Sequence, residues 1–309
     1  MMRSTLLWLS KRQSIFNFVR RNRLANRFAS RFVAGESIAT AVQAARELAA
    51  KGISNTIDLL GESVNDFADV EAARDTYLDL LAAQQEAGIE INASLKLTQF
   101  GIDLDEQRCE RHVREVAARA AGLGGFLRID MESSDYTDRT LAMFRRLHAE
   151  FGDHMGVVVQ SALRRTTPDV ERLVAEGARL RFCKGAYLEG EEVAYPDKGD
   201  VDAHYRRLTE ALLGSGGYHG LATHDEAMIA HAKAFAEREG IPRDRFEFQM
   251  LYGVRRDLQE ALVAEGWRMR VYIPFGESWY PYLMRRLAER PANIAFILGN
   301  IVKEATRRS

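Results

Sequence analysis

The chain has 309 residues, 46% of them hydrophobic and 28% charged, with a formal net charge of −1. That much apolar material excludes a disordered chain, and at this length about 75% of the unfolded surface is removable from water, so neither disulfides nor a metal staple is needed to hold a core. The charge is unevenly spread: residues 1–35 carry eight basic side chains and no acidic one, while the other 274 carry 35 basic and 44 acidic. The main body is therefore no basic nucleic-acid binder.

Residues 1–35 form a basic amphipathic segment that sets Leu6, Leu7, Leu9, Ile15, Phe16, Phe18 and Val19 among arginines and serines. This is the chemistry of a helix lying in a membrane interface and the composition of a mitochondrial targeting sequence. It equally suits a basic extension packed on the chain's own acidic body. The interfacial pattern predicts a cytoplasmic protein in peripheral contact with the inner face of the cell membrane through residues 1–31. The run Leu6–Leu9 is too short for a secretory signal, and no stretch of 18 apolar residues exists to span a membrane. Cys109 and Cys183 belong to no metal-binding cluster and read as reduced, buried thiols; no metal is expected.

Residues 36–309 read as one domain in which short β-like runs alternate with helical patterns rich in Ala, Leu, Glu and Arg. Strands are expected near Thr56–Leu60, Glu90–Leu95, Phe126–Ile129, Gly156–Val159, Leu180–Cys183, Gly220–Ala222, Arg245–Phe248 and Arg270–Ile273. Helices are expected near 65–87, 105–121, 136–150, 168–176, 201–213, 225–239 and 254–265. Asp135 is a candidate cap for the third helix, and Pro168 suits a first turn. Gly88, Gly177, Gly240 and Gly266 stand where helices should stop. With no linker dividing the series, the pattern predicts an α/β fold, a (β/α)8 barrel with helices before it; an open doubly wound sheet is the alternative. The glycine clusters at 122–125 and 214–220 lead into strands instead of following them, so no Rossmann or P-loop site is expected.

Polar groups stand at the carboxyl ends of consecutive strands: Lys96, Asp130, Gln160, Lys184, then Thr223 with His224, then Gln249, with Tyr272 in the last turn of the eighth. In a barrel these positions surround one mouth, where catalytic groups gather. Arg181 lies inside the fifth strand. A strand enclosed by helices normally reads apolar, so this cation must find a partner or point into the mouth. After the last strand, Ser278–Arg290 forms a helix with Tyr282, Arg285, Arg286 and Glu289 on one stripe. Two adjacent guanidiniums suit a planar carboxylate, and Glu289 is placed to orient them. From these residues alone the enzyme readings include a flavin-free barrel lyase or aldolase that uses Lys96 or Lys184 as a Schiff base.

Four motifs carry a resemblance: Arg181–Tyr187 (RFCKGAY), Ala222–His224 (ATH), Phe246–Gly253 (FEFQMLYG) and Tyr272–Glu289 (YIPFGESWYPYLMRRLAE). From about Ser54 onward the chain resembles the monofunctional bacterial proline dehydrogenases. The resemblance implies a distorted (β/α)8 barrel with an additional C-terminal helix over the mouth. It implies non-covalent FAD, oxidation of L-proline to Δ1-pyrroline-5-carboxylate by hydride transfer from C5 to flavin N5, and a membrane quinone as electron acceptor. This is the first step of proline catabolism to glutamate, and a pyrroline-5-carboxylate dehydrogenase would receive the product.

The resemblance also implies roles. Asp130 and Arg181 match the catalytic pair. Lys96, Arg285 and Arg286 match the cations around the substrate carboxylate, with Glu289 beside them. Tyr187, Leu251, Tyr272 and Tyr282 match the walls around the proline ring. Met131, Gln160, Arg181, Lys184, Gly185, Ala186, Thr223, His224 and Gln249 fall on the cofactor side. Glu62 resembles a gate residue that closes the site by pairing with Arg285.

Overall fold

The structure, a computed structural model, describes residues 30–289, and for 285–289 it describes the helix but not the side chains. The expectations for residues 1–29 therefore lie outside the described residues. Eight strands follow one another with a helix between each pair: β1 Ser54–Leu59, β2 Asn92–Leu95, β3 Phe126–Ile129, β4 Met155–Gln160, β5 Arg179–Cys183, β6 His219–Ala222, β7 Phe246–Leu251 and β8 Met269–Phe275. The helices are α1 Ile38–Ala49, α2 Phe67–Glu86, α3 Glu106–Gly122, α4 Thr137–Phe151, α5 Thr166–Ala175, α6 Lys198–Gly214, α7 Glu226–Arg238, α8 Arg256–Ala264 and α9 Trp279–Glu289. Every strand pairs in parallel with its sequence neighbour, and β1 pairs with β8 from Ser54↔Arg270 to Leu59↔Phe275. The sheet is thus a closed barrel, and the open doubly wound alternative is excluded.

Local chemistry explains most boundaries. Asp66, Asp105 and Asp225 each accept a backbone N–H at a helix start, from Asp69, Arg108 and Ala227. Ser37 and Thr40 form a reciprocal capping box on α1. Gly88, Gly177, Gly240 and Gly266 all have positive φ just beyond helices. Asp135 does not cap α4. It lies in a 3-10 turn, Ser134–Tyr136, and Tyr136 precedes the helix with no side-chain cap. A short turn had absorbed the residues that the sequence pattern assigned to the helix start.

Successive strand residues point to opposite faces, and the two faces differ in chemistry. Ile57, Leu95, Ile129, Val157, Leu180, Phe182, Leu221, Phe248, Val271 and Ile273 are buried in the main apolar core between sheet and helices. The opposite set faces the barrel's interior and carries the buried charged side chains of the strands. Arg181 of β5 reaches across to Ser94 of β2 at 3.0 Å. Arg270 of β8 donates to Glu247 of β7 at 2.7 Å, to the Asn55 carbonyl of β1 at 2.5 Å, and to Glu90 at 2.8 and 3.1 Å. Gly220 makes room for this packing: a Cβ there would lie 2.1 Å from Gln249 Nε2. Arg128 and Arg270, buried within strands, follow the same rule as Arg181: the interior-facing register carries charge because its partners come from other strands.

His219, at the start of β6, illustrates the cost of such burial. Leu180 N–H donates to its Nδ1 at 3.2 Å, which places the ring proton on Nε2, 3.0 Å from Ser215 Oγ. Burial, reinforced by the Arg128 and Arg179 guanidiniums, lowers its pKa from 6.5 to about 4. A depressed base stabilises the fold above pH 6.5 and loses that contribution as pH falls towards 4. An asparagine retains an acceptor for the Leu180 N–H but does not titrate. Between pH 7 and pH 4 the wild type is expected to lose about 3 kcal/mol relative to His219→Asn. Urea unfolding of both proteins at the two pH values measures this difference; a constant gap would remove His219 from the acid response.

Candidate active site

The carboxyl ends of the strands open into a cavity of about 450 Å³. It is lined by Asp58, Lys96, Asp130, Met131, Val158, Arg181, Cys183, Lys184, Gly185, Ala186, Tyr187, Ala222, Thr223, His224, Asp225, Gln249, Met250, Leu251, Tyr272 and Tyr282. A mostly apolar cleft of this size with a few convergent polar groups has the character of a small-molecule site. Tyr282 reaches it from α9, so the C-terminal helix borders the barrel mouth.

One wall is a directed hydrogen-bonded chain. Lys96 follows β2 and gives its ammonium to both oxygens of Asp58, at 2.8 and 3.1 Å, and to Tyr272 Oη at 3.3 Å. Tyr272 donates onward to Asp130 Oδ2 at 2.7 Å. The other Asp130 oxygen accepts from Arg181 Nη1 at 2.7 Å. Arg181 Nε donates to Gln249 Oε1 at 2.6 Å, and Gln249 Nε2 donates to Glu247 at 2.6 Å. The guanidinium also lies 5.0 Å from the centre of the Tyr272 ring. Its remaining nitrogen, Nη2, is buried and has no hydrogen-bond partner.

Electrostatics keep these groups in fixed states. Burial opposes the charged form of Lys96, but the Asp58 and Asp130 carboxylates outweigh it and raise the ammonium above its ordinary value. Burial raises the Asp58 carboxyl to about 6, with Lys96 opposing the rise. Burial, then the Asp130 charge, holds the Tyr272 phenol well above its usual range, so it remains a donor. On the opposite side, Lys184 pairs with Asp225 at 2.7 Å and with Asp202 at 2.5 Å. A Schiff-base lysine must be free to deprotonate, and both strand-end lysines are instead held by carboxylates, Lys96 by Asp58 and Lys184 by Asp202 and Asp225. The geometry therefore argues against the aldolase reading.

The loops over this wall are pinned by carboxylates. Glu132 accepts from Thr98 N at 3.1 Å and Thr98 Oγ1 at 2.6 Å. Glu189 accepts from Ser134 N at 2.8 Å and Ser134 Oγ at 2.5 Å, which anchors the segment carrying Tyr187. His224 accepts the Leu251 N–H on Nε2 at 2.9 Å and is thereby held against β7.

The structure thus brings together Lys96, Asp130, Met131, Arg181, Lys184, Gly185, Ala186, Tyr187, Thr223, His224, Gln249, Leu251, Tyr272 and Tyr282 on one cavity. Gln160 and Glu62 are not among the residues that line it. Gln160 is buried behind the wall, where Nε2 donates to the Glu132 carbonyl at 2.9 Å and Oε1 lies 2.9 Å from the position a Cβ on Gly185 would take. It ends a strand whose final side chain is turned to support the loops. Glu62 lies in the loop after β1. The side chains of Arg285, Arg286 and Glu289 lie outside the described residues. Asp58 escaped the sequence reading because it stands within an apolar run, Thr56–Leu60; an acid at the interior register of a strand was the available signal.

Comparison with known proteins completes the picture. A family model described as proline dehydrogenase matches residues 41–298. The chain is 46% identical over 279 residues to a proline dehydrogenase of Deinococcus radiodurans, covering 89% of this chain and 90% of that one. It is 39% identical to proline dehydrogenase 1 of Bacillus subtilis, covering 98% of this chain and 100% of that one. Among solved structures, proline utilization A from Bdellovibrio bacteriovorus, inactivated by N-propargylglycine, superposes with a TM-score of 0.81 at 26% identity over 91% of this chain. This chain spans only 34% of that longer protein. The family match and the extent of these identities establish that the chain belongs to the proline dehydrogenase family.

Proposed function

We propose that the protein is a flavin-dependent oxidoreductase that converts L-proline to Δ1-pyrroline-5-carboxylate, the first step of proline catabolism to glutamate. The observation that carries this reading is the Lys96–Tyr272–Asp130–Arg181 chain along one wall of a largely apolar cavity at the barrel mouth. Family membership supplies the reaction class, and the cavity supplies the means.

The residues present fit non-covalent FAD. Arg181 Nη2 is buried and lacks an acceptor, and Met131, Lys184, Gly185, Ala186, Thr223, His224 and Gln249 line the same cavity. Bound there, FAD would supply N5 as acceptor for the hydride leaving proline C5 and would pass the electrons to a membrane quinone. Gln160 would serve that side indirectly, by supporting Gly185.

The protein's own groups do the rest. Lys96 attracts the substrate carboxylate, and the family pattern adds Arg285 and Arg286, with Glu289 orienting them and Glu62 closing over Arg285. Fixing the carboxylate places C5, so binding becomes positioning. Leu251, Tyr187, Tyr272 and Tyr282 form walls that exclude water, and a dry site favours the neutral amine from which hydride can leave. Asp130 and Gln249 hold the Arg181 fork in place, where it would stabilise negative charge on a bound acceptor. The product is suited to a pyrroline-5-carboxylate dehydrogenase, and contact with an anionic membrane through residues 1–31 would bring the protein to its quinone. No helix among the described residues is long and apolar enough to cross a membrane.

The purified protein is expected to be yellow and to bleach when L-proline is added without oxygen. Absorbance between 350 and 500 nm (roughly the flavin window set by the bound ring system) reads both. A colourless, folded protein that cannot be reconstituted with FAD would overturn the proposal.

A further inference from the structure

Lys96 and Asp130 carry opposite charges, and their closest atoms, Nζ and Oδ2, are 3.8 Å apart. Two such groups in a poorly hydrated site should close into a contact ion pair, because the attraction steepens as water is excluded. They have not done so. Asp130 instead uses Oδ1 for Arg181 and Oδ2 for the Tyr272 hydroxyl, both at 2.7 Å. The Lys96 ammonium is turned towards Asp58, whose two oxygens approach it at 2.8 and 3.1 Å.

Asp58 is well placed for this. It sits in the second-to-last pairing of β1 with β8, Asp58↔Pro274, and its other neighbour is Ser94 of β2, two residues before Lys96. Its side chain is fully buried, while those of Lys96 and Asp130 are 12% and 14% exposed. Asp58 lies on β1 and Lys96 directly follows β2, two strands that pair with each other in the barrel. Lys96 therefore has a fully buried counter-ion in Asp58, which takes its shortest carboxylate contacts while Asp130 stands further off.

We infer that Asp58 is a positioning residue: it holds the Lys96 ammonium away from Asp130, so that Lys96 remains directed to the substrate carboxylate and Asp130 remains the partner of Arg181 and Tyr272. The inference rests on the proposed proline site. It adds a residue to which that reading gives no contact role, and which acts through Lys96.

The test is a double-mutant cycle in the full-length flavin-loaded protein. Asp58→Asn keeps the shape and removes the charge. It is expected to raise KM for L-proline about tenfold to a hundredfold, the range of a charge-assisted contact to a misplaced partner, with flavin content unchanged. Asp58→Glu should recover part of the loss. In a Lys96→Met background the same Asp58→Asn change should have little further effect, because the group it positions is gone. Calorimetric titration with cyclopentanecarboxylate, which offers the ring and the carboxylate but no amine to oxidise, should weaken in parallel. Equal KM effects of Asp58→Asn with and without Lys96, or no effect on KM at all, would overturn the inference. Absence of proline oxidation by the wild type would overturn the proposed function and the inference with it, whereas a proline-oxidising wild type with unaltered KM in Asp58→Asn would overturn the inference alone. If Asp58→Asn fails to fold, Lys96→Met with Asp58 intact still reports: an unchanged KM would show that Lys96 has no carboxylate role for Asp58 to protect, and the inference falls.

Discussion

Replacing Arg181 by lysine is expected to lower kcat for L-proline by about a hundredfold to a thousandfold, the usual loss when one preorganised donor to a developing charge is removed. The reason is geometric. The guanidinium serves Gln249, Ser94 and Asp130 from three directions and still keeps Nη2 without a partner. A lysine delivers one ammonium on a flexible stem and cannot hold that fork. Among the described residues Asp130 would retain the Tyr272 hydroxyl and the more distant Lys96. Steady-state kinetics with L-proline, together with flavin absorbance of the same preparation, separate the two sources of loss. A variant with full flavin content and kcat within threefold of wild type (about 0.7 kcal/mol) would remove Arg181 from the chemistry.

The second large effect is on stability. Arg270→Met is expected to cost about 3–5 kcal/mol, since it leaves Glu247 buried without its counter-ion. Glu247 is held at about 2: burial works to raise it, but the Arg270 charge and hydrogen bonds from Arg270, Gln249 and Tyr218 prevail. Arg270 also bridges the closure of the barrel, from Glu247 on β7 to the Asn55 carbonyl on β1. Removing both charges in Arg270→Met with Glu247→Gln should cost less than Arg270→Met alone, because Glu247 is then not left as a buried carboxylate without its counter-ion. Chemical denaturation of the three proteins decides the matter. If the double variant is the less stable, the pair contributes more than its desolvation cost and the argument fails.

The same ion pairs separate what could be read along the chain from what could not. The outward strand faces are apolar, as with Val157, Leu180 and Val271, and helix ends carry glycines in the left-handed conformation, so the alternation of strands and helices was visible in order. Polar residues at strand ends were visible too, because a parallel barrel turns every such end to one mouth. Asp135, read as a cap, shows the limit of local signals: a 3-10 turn at Ser134–Tyr136 displaced the helix start.

Order along the chain specifies chemistry and period, but not which side chain meets which. Asp58 and Lys96 are 38 residues apart, Arg181 and Ser94 are 87 apart, and Lys96 and Tyr272 are 176 apart. Their contacts exist only once β1 and β8 close the sheet in one register. That closure turned Asp58 from an acid inside an apolar run into the counter-ion of Lys96, and placed Gln160 behind the cavity wall while its neighbours in the ring lined it. A strand's own pattern records which face is polar. The partners on that face come from the far side of the barrel, where only closure and shear bring them within hydrogen-bonding reach.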